Sequence, residues 1–154
     1  MAAYYFDSSA LVKRYAQEVG SSWVNSLTDL QSGNNIFTAL VTGAEIVAAI
    51  ARKARVSSIP MQDATAAIVT FKGHFKTEYH VVLINAAIVE RAMDLAERYG
   101  LRGYDAVQLA SALTVQAELS VGGVSLTAFV SADTDLNKAA QAEGLVVETP
   151  GDHP

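Results

Sequence analysis

Five short apolar runs, set among longer stretches with helical periodicity, constrain most tightly what this chain can fold into. The runs are Ala3–Phe6, Ile36–Thr38, Val81–Ile84, Leu126–Ser131 and Leu145–Glu148, each short enough for a buried strand. After the first, Ser8 or Ser9 is placed to cap a helix with Leu11, Val12, Tyr15 and Val19 on its apolar face, broken at Gly20. A second short helix follows from Ser21 or Ser22 through Trp23, Val24 and Leu27. Thr42 is placed to cap a helix to Arg55, with Ile46, Ala49 and Ile50 facing the core. Pro60 suits the first turn of another, capped by Ser57 or Ser58 and running to about Phe75. Asn85 starts a helix that Gly100 ends after Tyr99, Tyr104 to Leu119 forms the next, and Asp135–Glu143 is the last. Strands alternating with helices predict an α/β fold whose mainly parallel, short-stranded sheet is covered on both faces.

The 154 residues suit one domain, expected over 1–150 with 151–154 as a tail, and no linker or internal repeat interrupts them. A chain of this size can bury a core without covalent staples. With no cysteine, thiolate zinc sites, disulfides and cysteine nucleophiles are excluded, which fits a reducing compartment. Charges at Asp7, Lys13, Arg14 and Glu18 interrupt any signal-peptide core, and no apolar stretch approaches a membrane span. The expected setting is the cytoplasm, with no membrane partner. A net charge of −5 argues against a general nucleic-acid coat protein, but not against an enzyme that offsets its carboxylates with bound cations.

Four acidic residues stand where such a fold places reactive groups. Asp7 follows the first apolar run and Asp133 follows the fourth, while Glu45 and Asp105 lie at the starts of helices whose next turns are apolar. Carboxylates beside a core are costly to ionise, and gathered ones repel unless a cation compensates them. Oxygen-only donors favour Mg²⁺ or Mn²⁺ over zinc. Such ions serve phosphodiester hydrolysis by activating water and stabilising developing charge. Each acid also has an ordinary structural reading. Asp7 can be a helix cap, Glu45 and Asp105 first-turn acids favoured by the helix dipole, and Asp133 the cap of the last helix. Spacing alone leaves both readings open.

The segments Tyr5-Phe6-Asp7-Ser8-Ser9-Ala10-Leu11-Val12-Lys13, Ala44-Glu45-Ile46, Leu101 to Ala110 and Val130-Ser131-Ala132-Asp133 resemble PIN-domain proteins, in particular the VapC-type ribonuclease toxins of bacterial toxin–antitoxin pairs. The likeness runs from Tyr4 to Pro150, and it is the order of all four motifs that is specific. It implies a three-layer α/β/α sandwich, Mg²⁺ or Mn²⁺ dependence and endonucleolytic cleavage of RNA. By position, Asp7, Glu45, Asp105 and Asp133 match the family's acidic quartet. Asp7 and Asp105 would be the principal ligands, with Asp135 an alternative or assistant to Asp133. Ser8 or Ser9 matches the hydroxyl after the first Asp, and Ser131 the hydroxyl before the last. A cognate antitoxin and a homodimer are the implied partners, and Pro60 to Tyr79 falls where these toxins carry helices for such contacts.

An RNA enzyme must also hold phosphates. Arg52, two helical turns after Glu45, and Arg102, just before Asp105, are the candidates. Lys13, Arg14, Lys53 and Arg55 extend the basic surface, equally readable as solvated helix faces. An aspartyl-nucleophile phosphatase would need a second Asp where Ser9 stands, and a phosphoacceptor signalling domain would need paired acids at the first strand. The stronger rival is a PIN-like module that binds RNA or protein with little turnover.

Overall fold

A computed structural model describes residues 2–154. In chain order the elements are β1 (Ala3–Phe6), α1 (Ser8–Leu11), α2 (Ser21–Thr28), β2 (Asn35–Ala39), α3 (Thr42–Arg55), α4 (Met61–Thr77), β3 (His80–Val82), α5 (Ala86–Tyr99), α6 (Gly103–Val121), β4 (Ala128–Val130), α7 (Thr134–Ala142) and β5 (Val147–Glu148). The strands form one sheet in the order β3-β2-β1-β4-β5, and every pairing is parallel. From β1 the chain winds outward through β2 to β3, then returns to the other side of β1 for β4 and β5. The direction of winding therefore reverses between β1 and β4. Crevices outside the carboxyl ends of strands at such a reversal are where doubly wound sheets bind ligands.

Period-two alternation along β1 divides the core. Tyr5 packs on one face with Phe129, α5, α6 and α7, through residues such as Leu95, Leu109, Leu113 and Leu136. Phe6 packs on the other with Leu11, Val24, Ile46, Ile50 and Phe71 from the first four helices. The result is a sheet between two helical layers, as the alternation of elements predicts. Tyr5 and Phe129 are fully buried and stack with ring centroids 5.6 Å apart and planes 8° from parallel. Their contact joins β1 to β4 across the reversal.

Several local expectations differ from the structure. The first helix does not reach Val19: α1 is one turn, followed by a 3-10 turn over Val12–Arg14, and Val19 is exposed. Thr42 does not cap α3; it is its first residue, fully buried, with its hydroxyl turned toward the neighbouring layer. Neither Ser57 nor Ser58 caps α4, which Pro60 precedes with no side-chain cap, and Ser57 takes a positive φ in the turn instead. Asn85 does cap α5, accepting from the Ile88 N–H at 2.9 Å, and Gly100 ends that helix at φ +64. Beyond β5, Pro150–Asp152 makes a 3-10 turn and His153 stacks on Trp23. No helix among the described residues is long and apolar enough to cross a membrane.

Because Phe129 supports Tyr5 with no solvent exposure, Phe129→Ala is expected to cost about 3–5 kcal/mol of unfolding free energy. Urea denaturation measures this, and a loss below about 1 kcal/mol would contradict the packing described.

Candidate active site

Asp7 follows β1 directly and is almost fully buried. Its Oδ1 accepts from the Ala10 N–H at 3.0 Å, so it caps α1, and from the Ser9 hydroxyl at 2.7 Å. Its Oδ2 accepts from the Ser131 hydroxyl at 2.8 Å. The same hydroxyls receive backbone donors from the loop after β4: Ala132 N–H to Ser9 Oγ at 3.0 Å and Asp133 N–H to Ser131 Oγ at 3.1 Å. A small lattice of hydroxyls thus ties the ends of β1 and β4 together around one carboxylate. Ser9 and Ser131 build it; Ser8 instead lines a neighbouring groove.

Asp105 lies in the first turn of α6, half-buried. Burial raises its pKa, the Asp133 and Glu45 carboxylates raise it further, and the Arg102 guanidinium pulls it down. Asp133 caps α7 by accepting from the Leu136 N–H at 2.9 Å. Glu45, in the first turn of α3, accepts from Gln108 Nε2 at 2.8 Å. Glu45, Asp105 and Asp133 line one groove of about 630 Å³, walled by Val89, Met93 and Tyr104 and flanked by Arg102. Asp7 does not line it, but the charge on Asp105 reaches it and raises its pKa. Asp135 is exposed and outside the groove. The cap readings of Asp7 and Asp133 are therefore realised together with their placement at the carboxyl edge of the sheet.

The basic residues separate into two groups. Lys13 and Lys53 both pair with Glu18 at 2.8 Å, and Arg14 pairs with Glu78 at 2.9 Å and donates to the Tyr79 hydroxyl at 2.7 Å. Those three are internal ties. Arg52 and Arg102 are exposed, make no ion pair among the described residues, and line a second groove together with Ser8, Ser9 and Glu45. Glu45 and Arg102 line both grooves, so the two adjoin at these residues.

Whether these residues suit a hard cation can be judged from their chemistry. The quartet offers only oxygen donors, and none of the four pairs with Lys, Arg or His among the described residues. Asp105, whose pKa is raised first by burial and then by the Asp133 and Glu45 carboxylates, belongs to a donor set that a divalent ion would stabilise. As the side chains stand, no three His, Cys, Asp or Glu among the described residues are gathered tightly enough to hold a metal ion. The donor chemistry of the four acids, oxygen only and partly buried, fits a hard divalent ion.

Gln108 carries no charge and sits in an apolar stripe of α6, so charge and periodicity give no reason to select it. Its only signal is an amide among Ala106, Leu109 and Ala110, one helical turn after Asp105. The structure places it against Glu45.

Burial raises the Asp7 pKa from 3.8 to about 7, despite the lowering effect of the Ser9, Ser131 and Ala10 hydrogen bonds. A carboxyl raised in the folded state stabilises the fold below its unfolded pKa, and that contribution is lost as pH rises through the folded value. In EDTA, the unfolding free energy of the wild type relative to Asp7→Asn should therefore fall between about pH 4 and about pH 7. A difference that rises over this window, measured by urea denaturation at stepped pH, would contradict the burial of an uncompensated carboxyl.

With the fold and the acidic rim in place, comparison with known proteins is direct. The PIN domain model matches residues 4–142. Two curated relatives, Ribonuclease VapC45 and Ribonuclease VapC49 of two Mycobacterium tuberculosis strains, are each 34% identical over 111 residues, covering 72% of this chain and 75% of theirs. Among solved structures, PAE2754 from Pyrobaculum aerophilum aligns with a TM-score of 0.60 at 20% identity, over 95% of this chain and 89% of that one. VapBC2 from Rickettsia felis, bound to a DNA fragment from their promoter, aligns with a TM-score of 0.59 at 16% identity, over 96% and 98%. At those identities the structures speak for the fold, while the domain match and the curated relatives establish the family. This chain belongs to the PIN-domain family.

Proposed function

We propose that the chain is a Mg²⁺- or Mn²⁺-dependent endoribonuclease, the toxin of a toxin–antitoxin pair. The observation that carries this reading is the set of four carboxylates at the carboxyl edge of the sheet, none with a basic partner among the described residues, in a PIN domain related to VapC ribonucleases. Asp7, Asp105, Asp133 and Glu45 would hold the cation, with Asp135 the least supported by position. The chemistry such an ion would supply there is a lowered pKa for a water and stabilisation of charge on the scissile phosphate. The protein's own part is to orient. Ser9 and Ser131 hold Asp7, the α7 N-terminus holds Asp133, and Gln108 holds Glu45. Arg52 and Arg102, which line the second groove with Glu45, would meet backbone phosphates of the RNA. The toxin–antitoxin role is supported by the relatives and by structural neighbours that include a toxin–antitoxin complex from Klebsiella pneumoniae. An antitoxin, a homodimeric state and a cytoplasmic setting belong to the same proposal.

Protein purified free of any inhibitor should cleave RNA internally with Mg²⁺ or Mn²⁺ and stop in EDTA. Asp7→Asn and Asp105→Asn should each lose at least about 100-fold in kcat/KM, since even residues that only support metal ligands cost up to that much. Cleavage that survives EDTA and both substitutions would overturn the metal-nuclease reading. RNA binding that persists without any metal-dependent cleavage would favour the binding-module alternative. Induced expression should arrest growth, and the Asp105→Asn form should not.

The arginines have a separate signature. Arg52→Ala and Arg102→Ala should raise KM more than they lower kcat. Each should reduce the slope of log affinity against log salt by about 0.7, the value for one phosphate contact on a single strand. An unchanged slope in both would remove them from the RNA path.

A further inference from the structure

We infer that Gln108 is a positioning residue for Glu45, part of a buried relay that runs from Tyr5 in β1 to the acidic groove. This rests on the proposed nuclease reading, which it deepens. Gln108 is 1% exposed, between apolar neighbours of α6. A buried amide of this kind is costly unless its donors and acceptor are satisfied. Here they are satisfied by specific partners: the Tyr5 hydroxyl lies 2.7 Å from Oε1, and Nε2 lies 2.8 Å from Thr42 Oγ1 and 2.8 Å from Glu45 Oε1.

The orientation of the amide follows from chemistry. An ionised Glu45 can only accept, so the Gln108 NH₂ must face it and the carbonyl must face Tyr5. Tyr5 then donates its proton to that carbonyl. Tyr5 is itself held rigid, fully buried and stacked on Phe129. Thr42 extends the relay, its hydroxyl 2.8 Å from that of Thr38, which in turn lies 2.8 Å from the Phe6 carbonyl. Every anchor is thus in the sheet core or the first turn of α3. The one end that reaches the groove is Glu45, whose Oε1 is taken by Gln108 and whose Oε2 has no partner among the described residues. A carboxylate with one oxygen fixed and the other directed by it loses little conformational freedom when it meets a cation or bound water.

A purely structural role would serve Tyr5 and Thr42 equally well and leave Glu45 indifferent. The two are separated by a double-mutant cycle, using Gln108→Met, close in volume and helix propensity, and Glu45→Ala. The readouts are kcat and KM on RNA and, independently of cleavage, the Mn²⁺ binding isotherm from the electron paramagnetic resonance of free Mn²⁺. Gln108→Met should lower kcat by about 10–100-fold with little change in KM, and weaken Mn²⁺ binding by about 10-fold. In the Glu45→Ala background the same substitution should change neither by more than about twofold. Tyr5→Phe, which frees the amide to turn, should shift both quantities in the same direction by less.

The inference is overturned if Gln108→Met lowers only the urea midpoint, or if its effect is equally large without Glu45. A wild type that binds Mn²⁺ but does not cut RNA would sink the nuclease reading alone, and the Mn²⁺ isotherms would then decide the Gln108 claim. A wild type that binds no Mn²⁺ would overturn both.

Discussion

The site depends on one buried carboxylate. Asp7 ends the central strand at the point where the sheet reverses its winding, and is almost removed from water. Two hydroxyls and a backbone N–H are what make this tolerable. Those hydroxyls come from both sides of the reversal, Ser9 after β1 and Ser131 after β4. The bonds that satisfy Asp7 therefore also fix the spacing of the two strand ends. The loop after β4 then delivers Asp133 to the rim by its cap of α7. Hydrogen bonds do not fully offset the burial, since the carboxyl stays far above its ordinary range. The remaining cost is the physical opening for a cation, which would displace the proton and stabilise the charged form.

The acids farther from β1 are placed by the helical layers. Asp105 and Glu45 each occupy the first turn of a helix, where the positive end of the dipole favours a carboxylate. That preference does not prevail at Asp105, whose pKa is raised by burial first and then by the Asp133 and Glu45 carboxylates. The second layer of support, Tyr5 to Gln108 to Glu45, runs through the opposite side of β1 from Phe6. Alternation along a four-residue strand thus supplies a core residue to each layer, and the strand's end sets the Asp7 carboxylate at the rim.

Much of the fold was legible in the sequence because its signals are local. The five apolar runs, the Asn85 cap and the Gly100 stop are read from short windows, and the structure agrees with them. The failures are equally physical. Val19 continues a helical period, but the chain turns into 3-10 geometry after Leu11 and leaves it exposed. Thr42 looks like a cap because its hydroxyl is competent to cap; in the fold that hydroxyl is spent on Gln108 and Thr38 instead. At the site, the acids could be nominated because carboxylates beside apolar runs are conspicuous. Gln108 could not, because an uncharged amide announces itself only through partners 63 and 103 residues away. The basic residues Arg14 and Lys53 were equally opaque, since their partners Glu78 and Glu18 meet them only in three dimensions.

The central claim is that the acidic rim is a divalent-cation site built around Asp7 and Asp105. A crystal of the protein soaked in Mn²⁺ and measured at the manganese absorption edge tests it most directly. The account expects an anomalous peak at the carboxyl ends of β1 and β4, within ligating distance of Asp7 and Asp105, with Asp133 or Glu45 turned toward it. A fully soaked crystal with no peak at that rim, or with its only peak elsewhere on the molecule, would contradict it.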